Sequence, residues 1–190
     1  MIQLPTKQQA KRQAGLVVAL LAWFSFVLGA ATSAALQDIE HQVKAAVVYN
    51  FTKFVVWPDE VFPSDGAPLT TCVTRSSSLA TILSKVVAGR KVQGRPLEVL
   101  SFDGSEPPAA CNLVFIDASQ DAQVAQILDP LSSKAVLTVG ESPAFAVDGG
   151  MIRLVTQEGK IRFDINAASA RRAGLRISSQ LLGLARSVEK

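Results

Sequence analysis

The sequence predicts an α/β fold: a single domain with a central, largely parallel sheet flanked by helices and a C-terminal antiparallel hairpin. Three observations predict it. Between residues 69 and 139, short apolar runs rich in β-branched residues alternate with short amphipathic segments, the rhythm of parallel strands joined by crossover helices. Two alternating segments around Glu158 and Gly159 then break that rhythm, as a hairpin does. Behind an N-terminal segment that reads as an export signal, about 155 residues remain, enough for one core and too few for two.

The signal reading rests on order. Lys7, Lys11 and Arg12 come first with no acidic residue among them, the apolar run Gly15 to Ala30 follows, and the small residues of ATSAAL close the segment. Cleavage behind Ala34 or Ala35 divides the chain into a signal peptide, 1–35, and a domain, 36–190. A retained anchor is the alternative, but the apolar run is about 16 residues where a spanning helix needs about 20. The expected location is the periplasm, without membrane insertion after cleavage. Of the 19 basic residues three lie in the signal, which holds none of the 16 acidic ones, so the domain carries 16 of each and no formal net charge. A nucleic-acid footprint needs a basic face on the domain itself, and none is expected.

Along the domain, Val43, Ala46, Val47, Phe51 and Phe54 recur at helical spacing and predict a helix from Asp38 to Val56, ended by Trp57 and Pro58. Pro63 to Pro68 is a turn. Leu69 to Thr74 reads as a strand, Leu79 to Val87 as a helix stopping at Gly89, and Leu97 to Phe102 and Asn112 to Asp117 as buried strands. A helix from Ala122 to Leu128 precedes the strand Ala135 to Val139. Met151 to Thr156 and Lys160 to Ile165 form the hairpin. Asn166 is a suitable N-cap for a helix from Ala167 to Ala173, Gly174 breaks the chain, and Ser178 or Ser179 starts a last helix through Leu184.

Catalytic signatures are missing from the sequence. His41 is the only histidine, which leaves zinc and Ser-His-Asp chemistry without partners, and neither a nucleophile elbow nor a dinucleotide fingerprint occurs. Gly89 and Gly94 have P-loop spacing, yet Arg95 and Pro96 stand where lysine and Ser/Thr belong, so two turns are the expected reading. No cofactor, metal or enzymatic activity is expected.

Cys72 and Cys111 are the only cysteines; in an oxidising compartment they read as one disulfide, the alternative being two buried thiols. Asp103 and Asp117 closely follow strands, where α/β sheets bind ligands, and with Thr138 they are candidates for holding a cation or small polar molecule; turn and cap duties are the alternative. Arg171, Arg172 and Arg176 read as a solvated helix end, with an anion site as the alternative. Tyr49, Phe51, Phe54, Trp57 and Phe62 put five of the chain's 12 aromatics within 14 residues. One helix stripe does not bury residues pointing in so many directions, so Tyr49, Phe54 and Trp57 are candidate partner-binding residues, core packing being the alternative.

The segment VKAAVVYNFTKFVVWPDEVF, Val43 to Phe62, resembles the opening motif of the YfiR/HmsC-type periplasmic family in Lys44, Ala45, Tyr49, Asn50, Phe51, Lys53, Phe54, Trp57 and Pro58. A second match runs from Gly149 to Ala185, through the GGMI strand, the strand end RFDIN and the closing ISSQLLGLA helix, and the two cysteines fall where the family's shared disulfide belongs. The resemblance implies a non-enzymatic regulator that binds the periplasmic sensory domain of an inner-membrane diguanylate cyclase and holds it inactive, restraining cyclic di-GMP and biofilm formation. It also implies a tendency to homodimerise. A second disulfide found in some members has no cysteines here. A periplasmic small-ligand sensor using Asp103 and Asp117 is the competing reading.

Overall fold

Eight strands form one curled sheet whose five central members are parallel, and the chain order of those five decides where clefts open. The computed structural model describes residues 39–75 and 78–190; the expected signal peptide at 1–35 lies outside them. Helix α1, residues 39–54, leads into β1 (Val55–Val56). Then follow β2 (Leu69–Thr74), α2 (Leu79–Val87), β3 (Lys91–Val92), β4 (Arg95–Phe102) and β5 (Leu113–Ile116). A 3-10 segment (Ala118–Gln123) precedes α3 (Val124–Leu128) and β6 (Leu137–Gly140). The hairpin β7 (Ile152–Gln157) and β8 (Lys160–Asn166), α4 (Ala167–Arg172), β9 (Arg176–Ile177), α5 (Ser179–Leu184) and β10 (Ser187–Glu189) complete the chain.

The large sheet has the order β10-β8-β7-β6-β5-β2-β4-β3. Strands β4, β2, β5, β6 and β7 pair in parallel, so the first parallel strand lies between the second and the third. Strand order reverses at the β2/β5 boundary, the place where open α/β sheets leave a crevice at the carboxyl ends. The β7–β8 hairpin is antiparallel, as its alternation predicts, and turns at Glu158 and Gly159, both with positive φ.

Alternation along each strand sends side chains to two cores. Leu69 and Val73 of β2, Leu113 and Phe115 of β5, Leu137 and Val139 of β6, and Ile152 and Leu154 of β7 join residues of α1, α2, α4 and α5 in the larger one. Cys72, Phe102, Val114 and Ile116 face the other side, under Val124, Ile127, Leu128, Leu131 and Phe145. Because the inner strands are covered on both faces, β2, β5 and β6 are buried at every residue.

Helix α1 stops at residue 54, two residues short of the expected Val56. Val55 and Val56 instead pair antiparallel with Ile177 and Arg176 of β9 in a separate two-stranded sheet. Two adjacent β-branched residues ahead of Trp57-Pro58 fit extended backbone better than a last helical turn, and β9 supplies the partner. Strand β10, which no sequence pattern announces, pairs in parallel with β8.

Candidate functional site

The aromatic segment divides between core and surface. Phe51 is fully buried and meets Phe163 edge-on, ring centroids 5.1 Å apart at 76°. Trp57, expected at the surface, is only 4% exposed. Its indole N–H donates to the Asn112 carbonyl at 2.9 Å, and that oxygen also accepts from the Leu137 amide at 2.9 Å. The expectation of a surface Trp57 is therefore corrected: a large ring with one N–H is best satisfied where both apolar cover and an acceptor are present, and the mouth of β5 offers both.

Tyr49 and Phe54 remain half-buried at the edge of the larger core. Lys53, one turn along α1, places its ammonium 4.2 Å from the centre of the Tyr49 ring, and the Arg90 guanidinium stands 5.1 Å from it. Hydrogen bonding from Arg90, aided by Lys53 and opposed by desolvation, lowers the phenol's pKa below the ordinary tyrosine value. Beyond α1, Arg95 stacks on Phe62 at 3.6 Å and donates to the Ser64 and Ala67 carbonyls. This side of the molecule thus pairs aromatic rings with cations.

Cys72 and Cys111 are disulfide-bonded and buried, 39 residues apart in sequence. Asn112, next to Cys111, locks β5 to β2: its side-chain carbonyl accepts from the Thr70 amide at 2.9 Å, and its own amide donates to the Thr70 carbonyl at 2.8 Å.

The strand-end candidates are placed apart. Asp103, after β4, pairs with Arg75 at 2.6 Å, both side chains about two-thirds exposed. With Thr74, Phe102, Gly104, Gln120 and Gln123 this pair lines a cavity of about 180 Å³ at the carboxyl ends of β2 and β4. Asp117 does not line it; its carboxylate accepts from the Ser119 amide at 2.9 Å and caps the 3-10 segment. Thr138 is buried, its hydroxyl accepting from the Met151 amide at 3.0 Å. Gly89, with positive φ, follows the end of α2, and Gly94 turns the β3–β4 hairpin, so the P-loop spacing spans two unrelated turns. Among the described residues no group of His, Cys, Asp or Glu is arranged to hold a metal.

Two charged sites escape sequence reasoning. Lys44, on the inner face of α1, forms an ion pair with Glu141 just past β6, both side chains nearly buried. A cavity of about 260 Å³ opens beside them, lined also by Ala118, Pro143 and Arg153. On the outer face of the hairpin, Asp164 receives Arg153 at 3.1 Å, Arg186 at 2.9 and 2.6 Å, and the Ser187 hydroxyl at 2.7 Å. Burial pushes the Asp164 carboxyl up, and the hydrogen bonds from Arg186, Ser187 and Arg153 outweigh it, leaving its pKa below the ordinary value. Only an odd lysine in an apolar stripe hinted at the first site, and nothing local at the second.

The motif residues near the C-terminus have structural duties. Gly149 has a φ of 92°, and a side chain at Gly150 or Gly140 would run into the buried Phe145 ring lying between them. Asn166 caps α4 through the Ser169 amide at 2.9 Å, and Ser178 caps α5 through the Leu181 amide at 3.2 Å. The model of the YfiR/HmsC-like family matches residues 41–186.

Proposed function

Because the chain belongs to the YfiR/HmsC-like family, we propose that it is a periplasmic regulator of a membrane-bound diguanylate cyclase, holding the cyclase inactive by binding its periplasmic sensory domain. The observation that carries the reading is the family match over nearly the whole described chain. No helix among the described residues is long and apolar enough to cross a membrane. A regulator of this kind shifts the cyclase equilibrium only by binding the inactive sensory domain more tightly than the active one. Its release then raises cyclic di-GMP and favours biofilm.

The partner surface we assign to the part of α1 around Tyr49, whose half-buried ring is flanked by Lys53 and Arg90, together with the half-buried Phe54 further along the helix. Tyrosine and arginine are enriched among the residues that dominate protein interfaces.

The test is a pull-down of the exported protein against detergent-solubilised membranes of its own organism, with cyclic di-GMP measured in cells lacking the gene. A co-purifying membrane cyclase and a raised nucleotide level are expected. Restoration by the wild type but not by the Tyr49→Ala, Phe54→Ala double variant would locate the surface. A cyclic di-GMP level indifferent to the gene would end the reading. The small-ligand alternative draws on the cavity at Arg75 and Asp103; it predicts a melting temperature that rises with one member of a metabolite panel and is blunted by Arg75→Ala.

A further inference from the structure

Strand β7 outruns its neighbour. β6 ends at Gly140, in register with Arg153, and β7 continues from there to Gln157. The Asn166 amide donates to the Met151 carbonyl, so odd-numbered residues of β7 turn their main-chain groups toward β8 and even-numbered ones the other way. Thr156 therefore turns its N–H and C=O toward the side that β6 has left. A ledge results at the carboxyl ends of β5 and β6, the end of a parallel sheet where ligands bind. The cavity of about 260 Å³, bounded by Ala118, Glu141 and Thr156 among others, lies there.

Its walls differ in chemistry. Ala118, Pro143, Leu154 and Val155 make one part apolar, while Lys44, Glu141 and Arg153 supply charge. Lys44 is 9% exposed, and a nearly buried ion pair such as Lys44–Glu141 often holds a fold together no better than well-packed apolar residues of the same volume. Its place on a cavity wall therefore points to a guest. Arg153 is fixed by two contacts: its guanidinium donates to the Pro143 carbonyl at 2.9 Å and to Asp164 at 3.1 Å, and a group with five N–H donors keeps others for a ligand. Asp164 is shared with Arg186, so Lys44, Arg153 and Arg186 are set against Glu141 and Asp164, and these five groups carry one positive charge in excess.

We propose that this cavity binds a small organic monoanion, a carboxylate with a short apolar body. The carboxylate takes the surplus charge beside Arg153, whose planar fork matches two oxygens, and the body lies against Pro143, Leu154 and Val155. Glu141 disfavours a dianion such as inorganic phosphate, and the volume, below that of a drug-sized pocket, keeps the guest small. The site is separate from the cavity at Arg75 and Asp103, and it stands whether or not the chain regulates a cyclase.

The experiment follows the amide NMR shifts of the exported protein during titration with benzoate. Benzamide serves as the uncharged control, and inorganic phosphate as the anion without an apolar body. Saturable shifts centred on Ala118, Glu141 and Thr156 are expected with benzoate alone. Arg153→Gln removes the surplus cation while Arg186 and Ser187 still hold Asp164, and should weaken benzoate binding about tenfold or more. Ala118→Phe, at an exposed position on the rim, should obstruct the cavity and abolish the shifts without changing the unfolding curve. No saturable shifts, equal shifts with benzamide, phosphate bound as tightly as benzoate, or an affinity unchanged in both folded variants would each overturn the proposal.

Discussion

The indole N–H of Trp57 and the main-chain carbonyl of Asn112, 55 residues apart in sequence, are joined by a buried 2.9 Å hydrogen bond. The bond ties the end of the aromatic segment to the residue beside Cys111, so one point gathers the segment after α1, the start of β5 and the disulfide.

Trp57→Phe should keep most of the packing and lose the donor, while the Asn112 carbonyl retains the Leu137 amide. A loss of about 1 kcal/mol is expected, against about 3 to 5 kcal/mol for Trp57→Ala. Denaturant unfolding of the two variants measures both. Tyr49→Ala, at the surface, should cost well under the Trp57→Ala value; equal costs would place Tyr49 in the core.

Removing the disulfide by Cys72→Ala with Cys111→Ala frees a loop of 39 residues' separation. The chain-entropy relation gives a loss of about 4 kcal/mol. Chemical denaturation of the double variant tests it, and a loss below about 1 kcal/mol would mean that the bridge adds little to a core already closed by α3.

Lys44→Met leaves the nearly buried Glu141 carboxylate without its ion-pair partner. About 3 kcal/mol of destabilisation is expected, and adding Glu141→Gln should recover part of it. A double-mutant cycle read by thermal unfolding separates the pair from the independent effects of each change.

Gly150→Ala pushes a methyl group into the Phe145 ring. Overpacking of this kind costs about 1 to 3 kcal/mol, and Phe145→Leu should relieve part of it in the double variant. Additive costs would show that the methyl group's approach to the Phe145 main-chain carbonyl, rather than to its ring, sets the cost.

Asp164 gives the acid side of the stability profile. Its pKa is lower folded than unfolded, so its contribution is fully present above the unfolded value, 3.8, and is lost as pH falls through the lower folded value. Below pH 3.8, Asp164→Asn should therefore show a flatter loss of stability than the wild type. The same substitution should loosen β10, whose Ser187 and neighbouring Arg186 both hold Asp164, and faster amide exchange at Val188 would register it.

Elements whose signals are local were legible in the residue pattern. Leu69–Thr74 and Leu79–Val87 stand where β-branching and helical spacing put them, and Asn166 and Ser178 cap their helices because a cap needs only its own next turn. The cysteine pair was legible for the same reason, there being only two to join. Tertiary structure alone decided what depends on distant partners. The helical pattern of Val55 and Val56 yielded to β9, Trp57 left the surface for the Asn112 carbonyl, and β10 formed on the free edge of β8. Lys44 found Glu141 across nearly a hundred residues, and Asp164 gathered two arginines from both sides in sequence. Periodicity records which face of an element is apolar; it carries no record of which element will cover that face, because coverage is settled by the sheet order, and the order is a property of the whole chain.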